Sequence, residues 1–395
     1  MPRQHTSGRD HDLVLYGATG FAGALTAEYL ARHSPEGCRW ALAGRSTAKL
    51  ERLRDRLAAV DPACAGLPLL RADSADPDSL RALAATTRVL ATTVGPYLLH
   101  GEPLVAACAE AGTDYLDLTG EPEFVDRMYL RHDATARATG ARLVHACGFD
   151  SVPYDLGVHY TVGLLPKGDP VRIDGFVRTN ATLSGGTLAS ALTAVSRPAA
   201  MARAARARRR AEPPLTGRTV RAPFGPPVRS RETRTWGVPL PTLDPRIVAR
   251  SAAALGHYGP DFRYRHYAGV RRLPTAVAGV LGAGALSALA QVPPARRWMS
   301  GRLQPGEGPS RQRRARSWFA VRFVASGGGT RLVTEVAGGD PGYDETAKML
   351  AEGALSLAFD DLPETAGQVT TAVAMGDALT RRLQDAGITF RVVRA

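Results

Sequence analysis

The chain has 395 residues, 44% hydrophobic and 22% charged, a balance that excludes disordered and collagen-like classes and predicts two globular domains. Its net charge of +13 would ordinarily point to nucleic acid. Only Lys49, Lys167 and Lys348 are lysines and the other 47 basic residues are arginines, so with so much alanine the charge reads as codon usage in a GC-rich genome, and no nucleic-acid partner is expected.

Met1 to Asp12 is polar, lacks the apolar core of a signal peptide and is expected to be a disordered lead-in. Asp12-Leu-Val-Leu-Tyr16 predicts a short buried strand. It enters the turn Gly17-Ala-Thr-Gly20-Phe-Ala-Gly23, a helix through Ala31, and a second strand, Trp40–Ala43, closing in Gly44-Arg45-Ser46. Strand, glycine turn, helix and strand form the unit that seats a dinucleotide pyrophosphate on a helix N-terminus. Gly17 permits the tight turn, Gly20 lets the diphosphate approach the backbone, and Gly23 lets helix and strand pack closely. Thr19 and Phe21 lie in the same turn and join the expected cofactor contacts. The spacing is G-x-x-G-x-x-G, with Ala18 in the place of a commoner glycine. After the second strand an NAD-specific fold carries an acid; here stand Arg45, Ser46 and Lys49, which suit a 2′-phosphate, so the expected cofactor is NADP(H).

Ser46 to Val60 predicts a helix with Leu50, Leu53 and Leu57 on one face, and Leu67–Leu70 a third strand closing at Asp73. Asp76-Pro77-Asp78 starts a helix to about Ala85. Arg88–Val94, Tyr115–Leu118 and Arg142–Ala146 read as strands four to six, with helices over Gly101–Ala111 and Glu123–Thr139 between them. Val171–Thr179 alternates as a strand, and Ser184-Gly-Gly-Thr187 opens a helix to about Val195. A stretch rich in Arg, Pro and Ala then runs to about residue 310 without clear period. Within it, Leu273 to Ala295 carries no charge and is flanked by arginines. A buried or lid helix pair is the first reading, with peripheral contact to membrane or lipid and a transmembrane helix as alternatives. Ser317–Ala325 and Arg331–Ala337 predict a hairpin around Gly327-Gly-Gly329, followed by helices over Tyr343–Leu357 and Gly376–Ala386 and a final strand, Ile388–Val392.

The expected architecture is α/β: a Rossmann-type doubly wound parallel sheet over roughly 10–155, and a second α+β domain over roughly 156–359 with a helical, partly apolar insertion at about 200–315. The segment from about 360 to 395 is expected to pack back on the first domain. Cys38, Cys64, Cys108 and Cys147 show no metal spacing and read as small hydrophobes; no metal is expected. Ligands of such sheets sit at the carboxyl ends of the strands. Asp73 with Ser74 is therefore expected near the adenine, and Gly95 and Pro96 beneath the nicotinamide ribose. Thr119-Gly120-Glu121 and Cys147–Ser151 are the other strand-end candidates.

The motifs Tyr16–Gly23, Ala43–Ser46, Val94–Tyr97, Tyr115–Glu121, Cys147–Pro153, Ser184–Thr187 and Ala374–Asp377 together resemble the saccharopine dehydrogenase-like oxidoreductases, in particular their trans-acting enoyl reductase branch. The resemblance spans nearly the whole chain and is dense to about residue 160. It implies NADPH-dependent reduction, with acyl or polyketide chains presented on acyl carrier protein as substrates and a second domain closing over them. The apolar insertion and scarcity of lysine favour an acyl chain over the amino-acid imine of true saccharopine dehydrogenases. A non-catalytic NADP-sensing regulator is the rival reading. The basic runs Arg203–Arg210 and Arg311–Arg316 read first as solvated faces, with an acidic carrier or anionic lipid as the alternative. A homodimer is compatible with this picture, and the expected location is cytoplasmic or peripheral at the membrane.

Enoyl reduction needs a hydride at the β-carbon, a donor at the thioester oxygen and a proton for the α-carbon. Tyr97 and His100, directly after the fourth strand, are candidate donors, and Asp150 is a candidate proton relay. Ser151, with Ser184, Gly185, Gly186 and Thr187 at a helix start, is expected on the substrate side.

Overall fold

The computed structural model describes residues 8–181, 196–272 and 308–394, with positions 274, 275, 277 and 282 between them. The expected Ser184–Thr187 contacts, the Met1–Ser7 lead-in and nearly all of the 273–295 run lie outside the described residues.

The first half alternates strand and helix: β1 (His11–Tyr16), α1 (Phe21–His33), β2 (Trp40–Gly44), α2 (Thr47–Ala58), β3 (Leu69–Arg71), α3 (Pro77–Thr86), β4 (Thr87–Thr92), α4 (Tyr97–His100), α5 (Glu102–Ala111), β5 (Asp114–Asp117), α6 (Pro122–Thr139) and β6 (Arg142–Val144). The starts are written in short polar side chains. Ser46 accepts from the Lys49 N–H to cap α2, and Asp76 accepts from Asp78 and Ser79 to cap α3. Gly140, at φ +83°, ends α6 in the left-handed region. Every residue of β1 from Asp12 on is buried; Leu13 and Leu15 point into one core, Val14 and Tyr16 into the other. That is the two-faced burial of a parallel sheet covered by helices on both sides.

The second half comprises α7 (Val152–Gly163), β7 (Val171–Thr179), α8 (Pro198–Ala211), β8 (Thr219–Arg221), β9 (Val228–Ser230), β10 (Thr235–Pro239), α9 (Asp244–Ala254), β11 (Asp261–Val270), α10 (Arg311–Arg314), β12 (Phe319–Gly327), β13 (Thr330–Gly338), α11 (Asp344–Phe359), β14 (Gly367–Val369), α12 (Thr371–Ala374), α13 (Gly376–Asp385) and β15 (Thr389–Arg394). Among its described residues, the stretch after residue 196, expected to lack clear period, holds α8, α9 and the strands β8 to β11. β11 alternates visibly: Phe262, Tyr264 and His266 are buried while Arg263 and Arg265 are half-buried between them.

The first sheet runs β14-β6-β5-β4-β1-β2-β3, all parallel, a doubly wound order with its switch between β1 and β4. The second is mixed, β15-β13-β12-β7-β11-β10-β9, with β8 alongside β11; β11 runs parallel to β7 and β8, and the other pairs are antiparallel. Only 19 residues separate the end of β14, in the first sheet, from the start of β15, in the second. One apolar cluster runs from Leu13 and Leu42 through Leu350 and Leu355 of α11 and Leu156 of α7 to Phe323 and Val336. In α7, a Cβ on Gly157 would lie 2.4 Å from the Phe323 ring, so glycine is what lets the helix settle onto β12. The buried Asp155 carboxylate accepts from Thr371 Oγ1 and the Ala372 N–H, each at 2.8 Å, and from Ser251, joining α7, α12 and α9.

Candidate active site

The turn after β1 is shaped for a close-lying ligand. Gly17 adopts φ +83°, and a Cβ there would sit 2.6 Å from Val94 Cγ2. A Cβ on Gly23 would lie 2.2 Å from the Gly17 carbonyl oxygen, so α1 can meet β1 only through glycine. Gly20 caps α1 with no side-chain hydrogen bond. The first-turn N–H groups of a 13-residue helix therefore have no side-chain cap to bond, the arrangement that suits a pyrophosphate. Thr93 anchors the neighbouring loop, donating from Oγ1 to Gly17 O (3.1 Å) and from its N–H to Tyr16 O (3.0 Å).

Beyond β2, Arg45 and Lys49 are exposed, Ser46 is half-buried, and neither cation forms an ion pair with another described residue. The Tyr16 hydroxyl is bonded to Ser74 in the fields of Asp73 and Arg45, so the ends of β1, β2 and β3 converge on one patch. Asp73 spends one oxygen on the Ala75 N–H (3.0 Å). Two free cations at the rim match a 2′-phosphate and repel nothing in it.

The ends of β4, β5 and β6 are tied by buried hydrogen bonds. The Tyr97 hydroxyl donates to Thr92 O (3.2 Å) and accepts from the Leu118 N–H (3.1 Å), and burial raises its phenol well above the ordinary range. Its proton is committed to the backbone, so the hydroxyl joins the β4 and β5 loops. Glu121 accepts from the Tyr97 and Leu98 N–H groups. Asp117 accepts from Thr119 N, Ala146 N, Tyr115 and His145. His100 is exposed at the end of α4. Gly95 is exposed and Pro96 half-buried after β4.

The loop after β6 holds the titratable groups. Ala146 there sits at φ +60°, a region that non-glycine residues rarely adopt and that clusters at functional sites. Phe149 packs on Tyr154 and Phe319, and its N–H donates to Thr346 Oγ1 (3.1 Å), fixing the loop against the second sheet. Beside it, burial pushes the half-buried Asp150 carboxyl up to about 6. Behind stands Asp244, at the start of α9, raised well above the ordinary carboxylate range by burial and then by the Asp150 charge. Ser151 Oγ donates to Asp150 O (2.6 Å) and lies 3.3 Å from Asp244 Oδ1. His266 Nε2 is 3.5 Å from Asp244 Oδ2, and its Nδ1 is 2.9 Å from the Tyr264 hydroxyl. Burial lowers His266 to about 3, opposite in direction to its effect on the Asp244 carboxyl, so in both groups the charged form is disfavoured. The result is a row of buried polar groups, Ser151, Asp244, His266 and Tyr264, with Asp150 at its outer end; Ser151 bonds the Asp150 backbone carbonyl, and the Asp150 carboxyl itself, among the described residues, stands free beside the row.

Of the residues singled out in the sequence, Asp150 and Ser151 fall in this row. Gly17, Thr19, Gly20, Phe21 and Gly23 form the glycine turn, and Arg45, Ser46, Lys49 and Asp73 the rim. Asp244, Tyr264 and His266 were not expected. The Asp244-Pro245 helix start and the alternation of β11 were the available signals, and neither tells where those side chains meet Asp150. Among the described residues no group of acidic, His and Cys side chains is arranged to hold a metal, and no helix is long and apolar enough to cross a membrane.

Residues 13–144 match the family model of the saccharopine dehydrogenase NADP binding domain. A chain of Mycobacterium tuberculosis designated by inference a trans-acting enoyl reductase is 40% identical over 422 aligned positions, covering 98% of each chain. The trans-acting enoyl reductase of Mycobacterium leprae is 37% identical over 423, again covering 98% of both. Among solved structures, the apo saccharopine dehydrogenase (L-Glu forming) of Saccharomyces cerevisiae superposes with a TM-score of 0.54 at 12% identity, covering 96% of this chain and 99% of that one, a likeness of fold. With the glycine cradle, the cationic rim and full-length relatives agreeing, the chain belongs to the trans-acting enoyl reductase family of saccharopine dehydrogenase-like, NADP(H)-dependent oxidoreductases.

Proposed function

We propose that this protein reduces the carbon–carbon double bond of an α,β-unsaturated acyl or polyketide chain held as a thioester on a separate carrier or synthase. The observation that carries the reading is Asp150, a half-buried carboxyl pushed up to about 6 in the loop after β6, backed by Asp244, whose carboxyl is raised well above the ordinary range. The Gly17–Gly23 turn, Arg45, Ser46 and Lys49 would hold NADPH, with Asp73, Gly95 and Pro96 as further contacts, and the bound cofactor would supply the hydride for the β-carbon. Asp150 then gives its proton to the α-carbon. Burial and the Asp150 charge both disfavour the ionised form of Asp244, which limits the negative charge facing Asp150. Partial exposure lets Asp150 regain a proton from solvent. Tyr97 acts by position, fixing the β4 and β5 loops. Ser151 and residues 184–187 are proposed to contact the thioester, the latter on sequence grounds.

Arg203, Arg206, Arg209 and Arg210 of α8 are exposed and form no ion pair with another described residue, which supports an acidic carrier as the partner. Peripheral lipid contact through the 273–295 run is retained as a proposal; recovery of the protein in the supernatant after pelleting with anionic liposomes would remove it. The function is tested by following NADPH oxidation with an enoyl pantetheine thioester and recovering the saturated product. Turnover that Asp150→Asn suppresses supports the reading. Tight NADPH binding without turnover would assign a regulator, and turnover restricted to amino-acid imines would return the protein to C–N chemistry.

A further inference from the structure

Away from the cofactor turn, a cavity of about 310 Å³ lies among α6, α8, α9 and the β14–α12 junction, walled by Arg137, Arg208, Arg250, His145 and Gln368 on its polar side and by Val125, Ile247, Val369 and Val373 on its apolar side. Its wall at β6 is three strands from β1, about 14 Å at the usual strand spacing, so it is separate from the pyrophosphate cradle.

Two buried donor or acceptor atoms on this wall have no partner. The His145 ring is 2% exposed; its Nδ1 is held 2.6 Å from Asp117 Oδ2, which leaves Nε2 presented to the cavity. Arg250 bonds Asp126 through Nη2, and its Nη1 is buried and unsatisfied. The charge is unbalanced as well. Asp126, 1% exposed, is shared by three guanidinia: Arg208 at 3.5 Å, Arg246 at 3.2 Å and Arg250. Arg208 has a second carboxylate in Glu212, and Arg137 is paired with Asp133, but among the described lining residues the only acid is Glu364, exposed at the rim. Burial, then the neighbouring Arg208, depress Arg250 to about 10 despite its bond to Asp126, so the charged guanidinium is disfavoured here. Water could satisfy Nη1 or Nε2 singly, but water brings no negative charge.

We propose that this cavity is a second ligand site, one that binds the phosphoryl group of a small phosphate ester. Arg250 Nη1 and the Arg137 fork would take the oxyanion, and His145 Nε2 would hydrogen-bond a polar group of the ligand. The volume exceeds what a bare phosphate fills, and the apolar wall suits a short organic stem. The inference does not depend on the enoyl reading, since it uses none of the residues assigned to the proton or the cofactor.

Isothermal titration of the full-length protein in a phosphate-free buffer tests it, with inorganic phosphate, propyl phosphate, 4′-phosphopantetheine and unphosphorylated pantetheine as probes. The expected result is saturable binding of propyl phosphate or 4′-phosphopantetheine, weakened at least tenfold by Arg250→Gln while NADPH affinity is unchanged. Val373→Trp, which fills the cavity from its apolar side, should abolish it. Preference for 4′-phosphopantetheine over propyl phosphate assigns a carrier arm; the reverse assigns a free metabolite. No saturable binding of any phosphorylated probe, equal binding by Arg250→Gln, or equal binding of pantetheine and its phosphate would overturn the proposal.

Discussion

The two ends of the candidate site are built in opposite ways. At the cofactor end, the phosphate-binding parts lie within residues 16–49: a turn that only glycine can close, a helix start with no side-chain cap, and cations left free in water. At the proton end, the working groups come from residues 150, 151, 244, 264 and 266 and are wholly or half buried, so that carboxyl pKa values are raised and that of an imidazole is lowered. Binding a dianion calls for exposed, unpaired cations; handling a proton calls for groups whose charged forms are disfavoured. The first is a local steric and electrostatic pattern, the second a tertiary one.

Four measurements can break or sharpen this contrast. The largest effect is expected from Asp150→Asn, which should lower turnover by about 10²–10⁴-fold with NADPH affinity intact. Retained turnover would remove Asp150 from the chemistry. Gly23→Ala should follow, because its Cβ would meet the Gly17 carbonyl at 2.2 Å. NADPH affinity should fall about 100-fold or more and stability by roughly 1–3 kcal/mol, read by fluorescence titration and chemical denaturation. Arg45→Ala should weaken NADPH by about 10- to 100-fold and leave NADH little changed, since a charged hydrogen bond is worth roughly 1.5–3 kcal/mol. An equal loss for both cofactors would move the 2′-phosphate away from β2.

The smallest effect concerns pH. The Asp150 pKa is raised on folding, from the ordinary 3.8 to about 6, so its ionised form is the one the fold disfavours. Its contribution to stability is complete below about 3.8 and is lost as pH rises through 6. Asp150→Asn should therefore be more stable than the parent by about 1–3 kcal/mol at pH 7.5 and no different at pH 3.5. In the parent, kcat/KM should decline as pH rises through about 6, and that limb should vanish in the variant.

The same contrast explains what could be read in the chain. The roles of Gly17 and Gly23 were legible because a positive φ is a local backbone demand and the Gly23 clash falls on Gly17, six residues upstream; Ser46 and Asp76 were legible because a cap acts within three residues. β11 was missed although Phe262, Tyr264 and His266 alternate. The strand is interleaved with arginines, and its partner β7 lies about ninety residues upstream. Tyr97 was expected at the substrate because a strand end fixes where a residue stands. It does not fix which way a hydroxyl turns, and here it turns inward to Thr92 and Leu118.

The last thirty residues carry a mechanical implication. Because β14 and β15 close the edges of different sheets, with Asp155 pinning the helix between them, neither half can loosen its rim without disturbing the other. Heat should melt this protein in one calorimetric transition, and trimming it back to residue 366 should cost both lobes their fold together.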